Sequence, residues 1–566
     1  MQMITNIHPR PARQTNRCTI WASRMLLTAA AALLPSRAMA AHSEPGRNKA
    51  DLGPGCAPER PAIAHYAGGV AAHETDKAHT NLIPCLVPTK WRTSEVGMVV
   101  TNRGTVLVQP GVGTPPTGLP LGILRSTDRG ANWNFMLLPS GPNAPPFLLP
   151  FDGNMGIDRQ TGRAFSMTPG YKNLSPTIPP QTSRVVFSDD DGRTWSEGGA
   201  PLMRFDSGNA DSVKIFTGPP TKKSKHLMRG YPNVAYNCSG HKPLRCQKSL
   251  DGGMTWGPGV DMPFPPELAP IQGPLNDCSN FGLNGVVGAD GTVYVGYTPC
   301  NRPYVAISRD EGDSWQAVRV ADVETIGWGM LAIDIDKGGT LYAAWVAAAD
   351  RLPYLSHSTT AGLRWSPPLM IGAPGINEAA LPRMVNGAEG QVAVAYFATK
   401  NSPGAPFPAP CPGFATNCVA WQSVTWNTYI TETFNALDRH PLLWSAALAD
   451  PGRPTWYGCS PSSLGVIRLD ESAPFKSGPG FTGGCSPTAG GIAVGGRQDY
   501  FGMDIARDNT PWVGFGQSCP KGLLVPGNSS CPSTLTGAPE DASWALVGRL
   551  VLVRDEAERH AEDQGR

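Results

Sequence analysis

The chain carries little charge. Of its 566 residues only 16% are Asp, Glu, Lys or Arg, and the net charge is +2. Such a chain has no strong field with which to gather nucleic acid or anionic lipid, so neither is an expected partner. Histidine is sparse, ten in all, and no Cys-x-x-Cys occurs, so the spacing of a structural zinc site is missing. There is no P-loop, no Gly-x-Ser-x-Gly elbow, no His-Glu-x-x-His and no glycine-rich dinucleotide turn between a strand and a helix. No convincing long amphipathic helix appears, and beyond the N-terminus no apolar run is long enough to cross a bilayer.

Glycine and proline are abundant instead, 65 and 57 residues, and they are spread along the chain. With 40% hydrophobic residues, that composition favours a large core built from many short strands joined by turns. The N-terminus has the form of an export signal. Arg10, Arg13, Arg17 and Arg24 precede the apolar stretch Met25–Leu34, and Ala38-Met39-Ala40 offers a cleavage pattern. Residues 1–40 are therefore expected to be removed and the protein to be secreted or periplasmic. Cys18 leaves with the signal. The twelve remaining cysteines fall into neighbouring pairs, Cys56/Cys85, Cys238/Cys246, Cys278/Cys300, Cys411/Cys418, Cys459/Cys485 and Cys519/Cys531. An even count in an exported chain predicts disulfides, and pairing between neighbours is expected, although sequence alone does not fix connectivity.

One short pattern recurs. "RSTDRGANW", "FSDDDGRTW", "KSLDGGMTW" and "ISRDEGDSW" end at Trp133, Trp195, Trp256 and Trp315, at spacings of 62, 61 and 59 residues, and a decayed copy, "HSTTAGLRW", ends at Trp365. In each full copy the aspartate (Asp128, Asp190, Asp251, Asp310) can accept bonds from backbone N–H groups just ahead of it. The glycine two residues later supplies positive φ, the leading serine can fasten the incoming strand, and the tryptophan buries a large ring against a neighbour. The pattern is a stapled hairpin turn, written once per structural unit. A second signal, a polar glycine-containing turn leading into an alternating strand, occurs at 101–109, 158–167, 288–297, 337–345, 387–396 and 506–516, with a longer version at 211–237. Apolar runs such as "VGMVV" and "GMLAI" lie just upstream. Together these give about four strands per unit and about seven units. The expected fold is all-β, a β-propeller of four-stranded blades, seven in number with six as the alternative.

The Ser-x-Asp-x-Gly-x-Thr-Trp pattern resembles the Asp-box, or BNR, repeat of sialidases and sialidase-like propellers, and the resemblance covers about residues 90–555. It implies an extracellular propeller that acts on or recognises carbohydrate or glycoconjugate. The activity implied is that of an exo-sialidase-like glycoside hydrolase; the alternative is a non-catalytic propeller that binds glycans or proteins. Sialidases of this fold use an arginine triad for the substrate carboxylate, a tyrosine nucleophile assisted by a glutamate, and an aspartate as acid/base. Their first arginine opens an Arg-Ile-Pro sequence. Here Ser94 and Glu95 stand at that place, and Arg-Ile-Pro occurs nowhere.

In a propeller the residues preceding each inner strand converge on one mouth of the central channel. They are Glu95, Asp152 with Asn154, Asp211, Asp277 with Asn280, Trp328, Arg383, and Asp499 with Tyr500, with Arg92 and Arg497 close by. Three readings stay open. Arg92, Arg383 and Arg497 form an anion clamp, with Tyr500 as nucleophile assisted by Glu378 and Asp152 or Asp211 as acid. Alternatively Glu95, Asp152, Asp211, Asp277 and Asp499 bind calcium, the one cofactor considered. In the third reading these groups hydrogen-bond strand ends around a water-filled channel.

By domain, residues 1–40 are signal and 41–90 a polar segment with Cys56 and Cys85. Residues 91–555 form the propeller, with a Cys/Pro/Gly-rich insertion within 400–500, and 556–566 a charged tail. The strand at 543–553 is expected to seal the ring by pairing with the first unit. A monomer is expected.

Overall fold

Alternating small, β-branched and aromatic residues make strands that can be buried on both faces, and that property organises the molecule. The computed structural model describes residues 52–73, 80–93, 96–110, 122–139, 154–168, 183–199, 214–239, 244–271, 282–326, 330–402, 424–449, 454–457, 501–518 and 543–554. Among the described residues the regular structure is β-strand with a few short 3₁₀ turns.

The strands form seven antiparallel sheets. Their inner strands, in chain order from blade 1 to blade 7, are Val96–Val100, Asn154–Ile157, Lys214–Gly218, Gly282–Val287, Ala332–Ile335, Glu378–Asn386 and Gly502–Ile505. Each inner strand packs against those of the adjacent blades, and that of blade 7 packs against that of blade 1. The backbones of Phe501 and Val96 pair in parallel at this junction. The ring is therefore closed, and the blade number is seven. All seven second strands follow the turns identified in the sequence. Five of them, Val106–Pro110, Ala164–Thr168, Val293–Tyr297, Leu341–Val346 and Val392–Thr399, are buried throughout because each blade lies between two others. At the hub the approach is close: a Cβ on Gly502 would sit 2.5 Å from the backbone nitrogen of Met98.

The repeated turn has the expected geometry and joins the third strand of a blade to its outer strand. In blade 1, Ser126 Oγ donates to Asp128 Oδ1 (2.8 Å) and accepts from Gly130 N–H (2.8 Å). Asp128 then accepts the Asn132 N–H (2.9 Å) and side-chain amide (2.7 Å). Blades 2, 3 and 4 repeat the scheme around Asp190, Asp251 and Asp310. In blade 5 the hydroxyl of Thr360 replaces the carboxylate and accepts the Arg364 N–H at 2.9 Å. Blade 6 holds a sixth version that sequence spacing did not reveal. Thr433 Oγ1 donates to Asn435 Oδ1 (3.0 Å), and that oxygen accepts Leu442 N–H (3.0 Å) across a longer loop.

These turns also join blades. Each tryptophan packs on the preceding blade, as Trp195 does on Val99 and Leu107. Arginines of a preceding blade donate to backbone carbonyls of the turn: Arg549 to Arg129 O (3.0 Å), Arg125 to Asp191 O (2.8 Å) and Arg163 to Gly252 O (2.8 Å).

Ring closure differs from the sequence expectation. The 543–553 segment is the third strand of blade 7 (Ser543–Arg554), and it pairs not with blade 1 but with Thr80–Thr93, which supplies the outer strand of blade 7. Pro84 and Pro88 disguise that strand in the sequence. Both are tolerated because an outer strand needs hydrogen bonds on one side only. Part of the polar 41–90 segment is therefore sheet. Its Ile63–Tyr66 stretch pairs with the outer strand of blade 6, Leu443–Ala447. There the buried His65 Nε2 lies 2.7 Å from Ser445 Oγ. Cys56–Cys85 and Cys238–Cys246 are bonded as expected, and Cys300 is bridged. Cys278, Cys411, Cys418, Cys459, Cys485, Cys519 and Cys531 lie outside the described residues. Among the described residues no helix is long and apolar enough to cross a membrane.

Candidate functional site

An inner strand is an edge strand, so its outward backbone groups lack a sheet partner. Side chains from neighbouring blades supply several of those partners here. Asn154 Oδ1 of blade 2 accepts Ile215 N–H of blade 3 at 3.0 Å. Asn284 Oδ1 of blade 4 accepts Ile333 N–H of blade 5 at 3.0 Å. Asp334 Oδ2 of blade 5 accepts Asn386 N–H of blade 6 at 2.7 Å, and Asp504 Oδ2 of blade 7 accepts Val100 N–H of blade 1 at 2.7 Å. Between blades 6 and 7 the direction reverses, and Arg383 Nε donates to Phe501 O at 2.8 Å. Asn154 and Arg383 therefore each bond the backbone of a neighbouring blade.

Toward the N-terminal ends of the inner strands these residues enclose a cavity of about 100 Å³, whose polar lining is Asn154, Lys214, Asn284 and Arg383, with Phe501 among the apolar walls. Lys214 and Arg383 are 3% and 7% exposed. Both are cationic, and no carboxylate lines the cavity among the described residues. Arg383 follows a bulge between Ala380 and Arg383, where Leu381 takes φ 54°. A bulge of this kind redirects the side chains that follow it.

Further along the inner strands the sign of charge reverses. Asp334 lies next to Ile333, which the cavity-lining Asn284 holds. Burial pushes its carboxyl up to about 7, and the nearby Asp504 charge adds to this; bonds from Ile335 and Asn386 N–H and the Arg159 charge act in the opposite sense. The residue is half-buried and keeps part of its surface accessible. Arg159 bridges blades, donating to Asp504 (2.5 Å), Ile505 O (2.8 Å) and Val100 O (2.7 Å).

Of the residues singled out in the sequence, Asn154 and Arg383 line the cavity. Glu378 begins the same strand but is 1% exposed, with Oε1 accepting from Arg351 and Oε2 from Ser402 Oγ. Arg92 lies in the outer strand of blade 7, its backbone paired with that of Trp544 in the third strand. Glu95, Asp152, Asp211, Asp277, Asn280, Trp328, Arg497, Asp499 and Tyr500 lie outside the described residues. Among the described residues no group of three His, Cys, Asp or Glu side chains gathers. Sequence reasoning missed Lys214, Asn284, Asp334 and Asp504. A signal was present: "VKIF", "AIDI" and "GMDI" each set one charge inside an apolar strand.

No family model and no curated protein matches the chain. Solved structures to which the chain is similar include a protein of unknown function from Dyadobacter fermentans, 11% identical, covering 88% of this chain and 100% of that one, with a TM-score of 0.37. A Hadza microbial sialidase is 18% identical over 54% of this chain and 63% of its own, TM-score 0.35. An α-L-arabinanase from Penicillium chrysogenum, complexed with arabinobiose, is 13% identical over 70% of this chain and 99% of its own, TM-score 0.34. This chain thus spans somewhat less than two thirds of that sialidase. Likenesses with TM-scores this low carry no argument, and the assignment rests on the closed ring and its stapled turns: the chain is a seven-bladed β-propeller.

Proposed function

We propose that the hub cavity binds an acidic carbohydrate, and that the protein recognises or processes extracellular glycans through it. One observation carries the reading: Lys214 and Arg383, from blades 3 and 6, line one cavity together with the amides of Asn154 and Asn284. A guanidinium fork suits a carboxylate, an ammonium adds a compact point charge, and amides match sugar hydroxyls. Such charge-assisted pairing is roughly twice as strong as a neutral hydrogen bond. The export signal and the bridges support an extracellular setting. Hydrolysis would require the acid/base and nucleophile roles assigned above to Asp152, Asp211 and Tyr500. Glu378 is held by two other groups, and binding is the simpler use of the cavity.

Calorimetric titration with N-acetylneuraminic acid, a glucuronic acid oligosaccharide and a neutral arabino-oligosaccharide tests this. The acidic ligands are expected to bind, with affinity falling at least about tenfold in Lys214→Met, equivalent to about 1.4 kcal/mol. Equal affinity for neutral and acidic sugars, or no loss in the variant, would refute it. A fluorogenic sialoside and other glycosides, assayed with wild type and Tyr500→Phe, separate turnover from binding alone.

A further inference from the structure

The connection between the first two strands of blade 3 is unlike the others. It runs from Thr221 to Gly230 as "TKKSKHLMRG" and carries four full positive charges, Lys222, Lys223, Lys225 and Arg229, with His226 and no acidic residue. All five of these side chains are exposed, and none has a side-chain partner among the described residues. In a chain of net charge +2, this segment holds a concentrated positive field. A loop selected only for solubility has no need of such one-sided charge.

The loop is held in shape. Glu311, fully buried in the stapled turn of blade 4, accepts Thr221 N–H at 2.6 Å and Thr221 Oγ1 at 2.9 Å. Thr221 O accepts the N–H groups of Ser224 (3.2 Å) and Lys225 (3.1 Å), Lys225–Leu227 forms a 3₁₀ turn, and Arg229 N–H reaches Leu250 O (3.0 Å). The cations are therefore carried on an ordered backbone, which reduces the ordering cost of binding. The loop follows the C-terminal end of the strand Lys214–Gly218, whereas Lys214 at its start lines the hub cavity. A partner on the loop leaves the cavity mouth open.

We propose that this loop is an electrostatic docking site for an anionic polysaccharide, sulfated or carboxylated, on the face of the propeller opposite the hub cavity. Lysines act as point charges, suited to a repeating anion rather than to one fixed carboxylate geometry. A membrane is a poorer fit, since Leu227, 49% exposed, is the one large exposed apolar side chain of the loop, and interfacial binding needs a broader apolar face. A single-stranded nucleic acid would call for aromatic stacking platforms, and 221–230 contains no aromatic ring besides His226.

The test compares wild type with Lys222→Gln/Lys223→Gln/Lys225→Gln on immobilised dextran sulfate and polygalacturonate. Phosphatidylglycerol vesicles, single-stranded DNA and neutral dextran serve as further arms. Wild type is expected to bind the acidic polysaccharides and not neutral dextran. Affinity should fall at least about tenfold in the triple variant, with the salt dependence shallower by about one logarithmic unit per lysine removed. Binding of small acidic sugars at the hub should be unchanged in that variant, so failure here and failure of the hub reading remain distinguishable. Equal retention of the triple variant, or tighter binding to vesicles or DNA than to both polysaccharides, would overturn the proposal.

Discussion

At the scale of the residue, one aspartate per turn does several jobs. Asp190 accepts a bond from Ser188, from Thr194 N–H and from the Thr194 hydroxyl, at 2.9, 2.8 and 2.7 Å. Burial alone would raise its carboxyl, but the bonds from Thr194, Ser188 and Arg193 outweigh that and hold it below the usual range. A carboxylate whose native pKa is depressed stabilises the fold above its unfolded value, about 3.9, and that stability is lost as pH falls through the native pKa. Asp190→Ala is expected to cost about 1–2 kcal/mol near neutral pH, the usual range for a lost cap. The gap between variant and wild type should shrink below about pH 4. Urea denaturation at pH 7 and pH 3 measures both. These turns were legible in the sequence because the whole motif lies within eight consecutive residues. The version in blade 6 was not, since extra residues separate Asn435 from Leu442 and remove the spacing.

At the scale of the element, blade 6 differs from its neighbours for a reason set by closure. In blades 1 and 3 the residue before the turn-opening serine reaches forward to the stapled turn of the next blade, as Arg125 does to Asp191 and Lys248 to Asp313. After blade 6 there is no such turn, because the outer strand of blade 7 comes from the other end of the chain. Glu432 holds the corresponding place, 1% exposed, with Oε1 accepting from Gln391 at 2.8 Å and no partner for Oε2 among the described residues. Burial pushes its carboxyl up to about 8, while the Gln391 bond acts the other way. A carboxyl raised above its unfolded value of about 4.3 keeps its proton in the fold, so its contribution to stability declines as pH rises from there toward 8. Glu432→Gln should therefore gain relative to wild type by roughly 1–3 kcal/mol more at pH 8 than at pH 5. Thermal melts of both proteins at the two pH values decide it, and parallel pH profiles would show that Glu432 is not protonated in the fold.

At the scale of the whole molecule, the two ends of the described chain meet in blade 7. Arg549 is fully buried and donates to Leu52 O at 2.9 Å, Pro54 O at 3.2 Å and, across the seam, Arg129 O at 3.0 Å. Cys56–Cys85 ties the same N-terminal stretch to the outer strand of blade 7 over a separation of 29 residues. Removing the bridge with Cys56→Ala/Cys85→Ala is expected to lower stability by about 3–4 kcal/mol on the loop-entropy model. Limited proteolysis should then cut within 57–79 before the propeller unfolds. An unchanged denaturation midpoint would mean that strand pairing alone closes the ring.

What the sequence determined by itself is local. A serine, aspartate, glycine and tryptophan within one turn fix a hairpin whatever surrounds it, and seven turn-led alternating strands favour seven blades over six, so all-β class and propeller were legible. What tertiary structure decided is everything that joins distant positions. The choice of Thr80–Thr93 as outer strand of blade 7 depends on which sheet edge is left open once the ring has formed. The gathering of Lys214, Asn284 and Arg383 at the hub depends on the radial arrangement of strands lying some sixty residues or more apart, and no short-range pattern of residues records that arrangement. The hub cavity is a property of the closed ring, because its walls are the edges of sheets that meet only when every blade is in place.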